Sequence, residues 1–368
     1  MLNAPWLQRL RQYPWGIVLL VMALGGFGLV VLYSGAGGSF DPWATKQGIR
    51  FAVLLAAMLV IAQIPLRLWI DQAYVIYGVV LVALIAVEAI GAVKGGGQRW
   101  LDLGIIQLQP SEFMKLAIIL ALARYYHYLP RPFVTRFRGL WPPLLMIALP
   151  AALVMLQPDL GTALAISFGG IAVIFLAGVR LRIFVGAGVA ITAALPIAWT
   201  MLHDYQKKRI ATFLDPASDP LGAGYHITQS KIAIGSGGLT GKGFLAGTQS
   251  HLDYLPELHT DFIFATMAEE WGLMGGAFII IGFGVVLMWG LGVALRAQSP
   301  FARLAAMGLT CTLFFYLAIN MMMVMGLAPV VGIPLPLVSY GGSAMMTVLI
   351  LLGILIGIAR QSQETLTP

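Results

Sequence analysis

The sequence predicts an all-α polytopic membrane protein with about ten transmembrane helices and one long extracytoplasmic loop between the seventh and the eighth. Three observations carry this. Of 368 residues, 59% are hydrophobic and only 10% are charged, whereas a soluble domain carries about 25% charge. Mean hydropathy is +0.88. The apolar residues also gather into runs near the length of about 20 residues that a helix needs to cross a bilayer.

In order, the runs lie near 14–33, 47–64, 72–92, 111–128, 142–157, 159–178, 183–202, 262–295, 303–325 and 341–359. The first, Trp15 to Tyr33, is too long for a signal-peptide core and has no small-residue cleavage site after it, so it reads as a retained helix. The runs near 111–128 and 142–157 are short, with Pro at their ends. The run near 262–295 is too long for one straight span. Its first part is expected inside protein or beside a cavity. Residues 1–368 read as a single transmembrane domain with an outer loop at about 203–261.

Arginine sets the orientation. With the N-terminus inside, the inner segments carry Arg9, Arg11, Arg67, Arg124, Arg131, Arg136, Arg138, Arg180, Arg182, Arg296, Arg303 and Arg360. The short outer loops carry Lys46, Lys94 and Arg99. That bias places both termini in the cytoplasm. The net charge of +7 therefore reflects membrane topology and does not imply nucleic acid. The single cysteine, Cys311, lies in an apolar run, which excludes an internal disulfide and a CxxC metal site.

The long outer loop has three pieces. Lys207, Lys208 and Arg209 form a basic cluster, followed by turns at Asp215-Pro216 and Asp219-Pro220. Tyr225 to Ala233 has the pattern of a short amphipathic helix lying on the membrane. Gly235 to Gly247 is glycine-rich and contains Lys242. It fails the P-loop pattern, because Lys242 is followed by Gly243. It reads either as a flexible loop or as backbone N–H groups near a phosphate. Loops of this length in compact domains are usually functional.

The loop ends at His251 to Gly272, where polar sequence gives way to a membrane helix. Asp261 sits at that junction, with Glu257 one turn before it and His259 two residues before it. A charge at a bilayer centre costs about 2.5–3.5 kcal/mol on insertion scales. Ionisable residues at a membrane boundary are therefore functional candidates. Asp261 reads as a general base or as the cap of the eighth helix, a role Thr260 could fill equally well.

Other candidates each have a structural alternative. Glu112 and Lys115 share one helix face, and could fix packing or shape a cavity. Arg99 could clamp phosphate through its planar fork, while Trp100 could be an interfacial anchor. Gln109-Pro110 and Gln157-Pro158 open two helices that start at the outer face. Two positive helix ends at one pocket would favour an anion. Asp159 and Thr162 lie at the second start, where Asp159 is expected to cap. The outer prolines and glycines of Pro329 to Gly342 would break a helix beside a cavity, or form a rigid loop. No strong metal signature is present. Mg²⁺ or Mn²⁺ is expected only as an ion shared with substrate phosphates.

These residues fall in motifs that resemble the SEDS family (shape, elongation, division and sporulation proteins). The matching pieces are GQRWLDLG at 97–104, QPSEFMKLA at 109–117, QPDLGT at 157–162, HDYQKKRI at 203–210 and DPLGAGYHITQSKIAIGSGGLTGKG at 219–243. They continue with GTQSHLDYLPELHTDFIFA at 247–265, AEEWG at 268–272 and VVGIPLPLVSYGG at 330–342. The HDYQ and GTQS pieces resemble the elongation branch more than the division branch.

The resemblance implies a ten-helix fold and a peptidoglycan glycosyltransferase of the bacterial cytoplasmic membrane. Such enzymes polymerise lipid II at the outer face, release undecaprenyl pyrophosphate and work with a class B penicillin-binding protein and other elongation-complex proteins. The family's essential Asp maps onto Asp261. Trp100 and the Glu112–Lys115 pair map onto positions tied to activity. The motifs also carry the candidate substrate contacts Arg99, Gln109, Asp159, Thr162, Arg209, Ser230, Lys231, Lys242, Glu257, His259 and Ser339. Two rivals remain at this stage: a flippase for lipid II and a non-catalytic scaffold. A flippase would place charges along a path through the membrane, of which Glu88 is the main example.

Overall fold

The computed structural model describes residues 12–94, 97–102, 104, 107–201, 204–216, 219, 222–251 and 258–364. Each of the ten apolar runs is a helix. The first seven are α1 (Trp15–Gly35), α2 (Ala44–Ile61), α3 (Leu66–Ile90), α4 (Pro110–Tyr128), α5 (Phe137–Leu156), α6 (Leu160–Leu176) and α7 (Leu181–Met201). The segment between α7 and the next long helix holds α8 (Asp204–Leu214), α9 (Ala223–Gly237) and α10 (Thr248–His251). The last three are α11 (Ile263–Arg296), α12 (Pro300–Val324) and α13 (Gly342–Glu364). By length and composition, seven of the described helices can cross a membrane: α1, α2, α3, α5, α11, α12 and α13. The apolar helices α6 and α7 are shorter by the same measure. Helix α4 carries Glu112, Lys115 and Arg124 in an otherwise apolar run.

The core forms around α4 and α12. Helix α4 packs on α3, α6 and α12, while α13 packs on α2 and α11 on α12. Almost every residue of α4 from Pro110 to Ala123 is buried. Glu112 and Lys115 therefore face protein rather than lipid, which lowers the cost of holding them in a membrane domain. Glu88 is exposed in the last turn of α3, at the end of that helix rather than midway along it.

Two features differ from the sequence reading. The third run ends at Ile90, and the chain continues as a small antiparallel sheet of β1 (Ala92–Lys94), β2 (Gly97–Asp102) and β3 (Gln107–Leu108) in the order β1-β2-β3. Trp100 pairs with Ala92, and Leu101 with Leu108. The Asp102 carboxylate accepts from Gly104 N at 2.9 Å and Gln107 Nε2 at 3.0 Å, which ties the end of β2 to β3. The expected surface helix is α9, but it packs on α11 and α12. Ile227, Ser230 and Ala233 form its buried side, at the spacing of one helix face.

The length of α11 is resolved by a break. At 1.5 Å per residue, 34 residues would span about 50 Å, against a hydrocarbon core of about 30 Å. Gly272 adopts φ 59 and ψ −153 inside it, a conformation suited to glycine. Such a break frees backbone groups that must be satisfied elsewhere. The outer loop supplies partners: Leu273 N donates to Gly238 O at 2.9 Å, and Lys242 N to Glu269 O at 2.9 Å. The first turns of α11 are thereby held within protein, as the run's length demanded.

Candidate active site

Helices α4 and α6 both begin at one pocket of about 190 Å³. Pro110 opens α4 with Gln109 as its N-cap residue. Asp159 caps α6, accepting from Thr162 N at 3.0 Å and Thr162 Oγ1 at 2.9 Å. Gln109 Nε2 also reaches Asp159 Oδ2 at 3.3 Å. The capping expectation for Asp159 holds, and the cap itself lines the pocket. The β2 strand brings Arg99 and Trp100 to the same wall. Arg99 donates from Nε to Gln157 O at 2.9 Å and from Nη2 to Pro158 O at 2.6 Å. These bonds fix the guanidinium over the turn that starts α6.

Glu112 reaches the pocket from the first turn of α4. Behind it, Lys115 Nζ donates to Glu112 Oε1 at 2.6 Å and to the Tyr316 hydroxyl at 2.7 Å. Tyr316 donates in turn to Glu112 Oε2. The triad is closed, and Lys115 is 1% exposed. A buried pair stands only with such added hydrogen bonds. Lys115 therefore acts on the pocket through Glu112 and is absent from the pocket lining.

Asp261 is half-buried on the opposite wall, with Thr260, Gly332, Pro334, Tyr340 and Gly341. The N-cap of α11 is Phe262, which makes no side-chain cap bond. Three successive carbonyls leading into Asp261 are held by other segments. Tyr340 N donates to His259 O at 2.8 Å, Ser339 Oγ to Thr260 O at 2.7 Å and Asn320 Nδ2 to Asp261 O at 2.9 Å. The His259 ring stacks on Trp43, with centroids 4.4 Å apart and planes 7° apart.

The pocket thus gathers Arg99, Trp100, Gln109, Glu112, Asp159, Thr162 and Asp261, with His259 and Ser339 holding its wall. Other candidates lie elsewhere. Arg209 lines a separate cavity of about 160 Å³ with Gln206 on the back of α6. Ser230 Oγ donates to Val324 O at 2.7 Å. Lys231 is exposed on α9. Lys242 Nζ pairs with the buried Glu269 at 2.6 Å. Glu257 lies outside the described residues. A larger groove of about 520 Å³ between α1 and α2 is lined almost entirely by apolar groups, including Leu29, Val30 and Ile49. Its lining presents no carboxylate, imidazole or cationic side chain.

Sequence reasoning missed Asn320, Tyr316, Tyr340 and Arg50. Arg50 lies 5.3 Å over the Tyr340 ring from within the apolar α2. Its signal was legible as an arginine inside an apolar run. Asn320 was likewise the one amide in the run near 303–325. Among the described residues, no group of three or more His, Cys, Asp or Glu could hold a metal.

Chemically, the pocket offers a half-buried carboxylate, two positive helix ends and a fixed guanidinium. That combination suits proton abstraction beside a developing negative charge.

The family model for cell cycle proteins of the FtsW, RodA and SpoVE type matches residues 14–364. The chain is 47% identical over 343 residues to the peptidoglycan glycosyltransferase MrdB of Escherichia coli K12, covering 93% of this chain and 92% of that protein. It is 35% identical over 357 residues to stage V sporulation protein E of Bacillus subtilis, covering 94% and 97%. Among solved structures it resembles a chain of a peptidoglycan synthase complex that coordinates polymerization and crosslinking. That match has a TM-score of 0.83 and 32% identity over 95% of this chain and 98% of the other. The rod shape determining protein RodA of Thermus thermophilus matches at TM-score 0.72 and 29% identity, over 95% and 97%. The chain is therefore a member of the FtsW/RodA/SpoVE family, the SEDS proteins.

Proposed function

We propose that the outer pocket is the polymerising site of a peptidoglycan glycosyltransferase, with Asp261 as the general base. The enzyme class rests on curated relatives as similar as 47% over nearly the whole chain. The observation that carries the assignment of the base is the placement of Asp261. Its carboxylate shares the pocket with Arg99, Trp100, Glu112 and Asp159, which come from β2 and from the starts of α4 and α6. Glu112 is neutralised by Lys115, and Asp159 is occupied with capping. Asp261 stands outside the helix caps, since the N-cap of α11 is Phe262.

The substrate is lipid II. Asp261 accepts the proton of the 4-hydroxyl on the acceptor GlcNAc. That oxygen bonds to the anomeric carbon of the donor MurNAc, the bond to pyrophosphate breaks, and undecaprenyl pyrophosphate leaves. An α-linked donor and a β-1,4 product require inversion in one displacement. A base is then needed on one face and charge stabilisation on the other, as in inverting glycosidases. Arg99 and the two helix ends are placed for the second task. The pocket residues alone do not form a metal cage, because Glu112 and Asp159 are already engaged. A bound Mg²⁺ or Mn²⁺ would be held chiefly by the substrate phosphates, on the Arg99 side of the pocket, and would neutralise leaving-group charge there.

The domain, from residue 1 to 368, sits in the bacterial cytoplasmic membrane with both termini inside and the pocket facing the periplasm. Its partner is a class B penicillin-binding protein within the elongation machinery, and the activity serves growth of a rod-shaped cell. The test is polymerisation of labelled lipid II by the purified protein and that partner, with transpeptidation blocked by a β-lactam. Wild type should give long strands. Folded Asp261→Asn should lose about 10²–10⁴-fold, the usual contribution of a general base. Equal strands from both would refute the assignment.

A further inference from the structure

Asn320 lies on α12, fully buried, one turn from Tyr316 and beside Met323 and Val324. An amide in such surroundings is unfavourable unless its hydrogen bonds are made. Its Nδ2 makes two: to Asp261 O at 2.9 Å and to Ile333 O at 2.7 Å. Its Oδ1 is buried with no hydrogen-bond partner. The side chain thus makes both donor bonds and leaves its acceptor orphaned.

Those donors tie together the two segments that form one wall of the pocket. One is the turn from His259 to Asp261. The other is the loop from Ala328 to Gly341, which includes Gly332. Gly332 has φ +72, and a Cβ built there would lie 3.4 Å from Asp261 Oδ2. The carboxylate therefore rests against the backbone that Asn320 anchors one residue later, at Ile333. Ser339 Oγ adds a third tie, donating to Thr260 O at 2.7 Å while accepting from Leu335 N at 2.8 Å.

We infer that Asn320 is a positioning residue: its amide fixes the Asp261 backbone against the Ile333 loop and so aims the carboxylate at the acceptor hydroxyl. This rests on Asp261 being the base. Proton abstraction needs heavy atoms within about 2.6–3.2 Å, and a displacement of about 1 Å can cost 10²-fold. Truncation of Asn320 should leave the substrate contacts of Arg99 and Trp100 in place, so the loss should appear in kcat rather than KM.

The experiment compares wild type, Asp261→Asn, Asn320→Ala and Ser339→Ala, each as full chain with its class B partner, on labelled lipid II. Thermal melting and partner binding are measured on the same samples. The expected result is a loss of about 10²–10⁴-fold for Asp261→Asn and a fall in kcat of about 10- to 100-fold for Asn320→Ala at unchanged KM. Ser339→Ala should lose less, in the same direction. Full kcat in folded Asn320→Ala, with Asp261→Asn inactive, would overturn the positioning role and leave the base intact. A rise in KM at constant kcat would overturn it as well. Strand synthesis by Asp261→Asn at the wild-type rate would instead overturn the base on which this rests. If Asn320→Ala does not fold, Ser339→Ala decides: reduced kcat at constant KM supports the role, and unchanged kcat refutes it.

Discussion

Lys242→Ala should loosen the outer loop measurably. Glu269 is completely buried on the short segment before the Gly272 break, and the side chain of Lys242 is 28% exposed. The carboxylate accepts from Lys242 Nζ at 2.6 Å, Thr248 N at 2.9 Å, Thr248 Oγ1 at 3.0 Å and Gln249 N at 3.0 Å. Removing one member of a buried pair costs about 3–5 kcal/mol because the other charge is left uncompensated. The partial exposure of Lys242 and the remaining N–H donors reduce this to about 2–3 kcal/mol. At about 2 °C per kcal/mol, the lower end expected for a large domain, the midpoint should fall by about 4–6 °C. Hydrogen exchange should quicken at the Thr248 and Gln249 amides, which donate to Glu269. The double variant Lys242→Met with Glu269→Gln removes both charges and should recover much of the loss. A Lys242→Ala protein that melts like wild type, with those amides equally protected, would refute the reasoning.

Two further outcomes follow from the pocket. Lys115→Met leaves Glu112 buried without its cation and should destabilise by about 3–5 kcal/mol. Adding Glu112→Gln should restore the melting midpoint without restoring strand synthesis, and recovery of both would make the pair purely structural. Gly332→Ala places a side chain at positive φ, which costs about 1–2 kcal/mol, with its Cβ against Asp261 Oδ2. It should melt slightly lower and polymerise about tenfold more slowly per folded molecule; normal synthesis would show that this wall does not set the carboxylate.

The helices were legible because their cause is local. Every run of apolar residues became a helix, since a membrane domain must satisfy its backbone within each segment. The excess length of the run near 262–295 forecast a break, and Gly272 supplies it. The small outer sheet was not legible. Its strands are two to six residues long, too short for a periodic signal, and their pairing depends on the helices that bring them together.

The site divides along the same line. Residue types at a membrane boundary singled out Asp261, Glu112, Asp159 and Arg99 without any coordinates. Their convergence was a property of the fold, because it depends on how α4, α6, α11 and the sheet pack at one end of the bundle. The roles of the lysines were decided there too. Lys115 and Lys242 look alike in sequence, as cations near an outer surface, yet each is consumed by a buried carboxylate on its own or a neighbouring element. Asn320 shows the opposite case. Nothing in the chain around it names a partner, and its meaning comes from two carbonyls 59 and 13 residues away. Hydrophobic pattern is written along the chain, whereas hydrogen-bond partners across it exist only once the helices have packed.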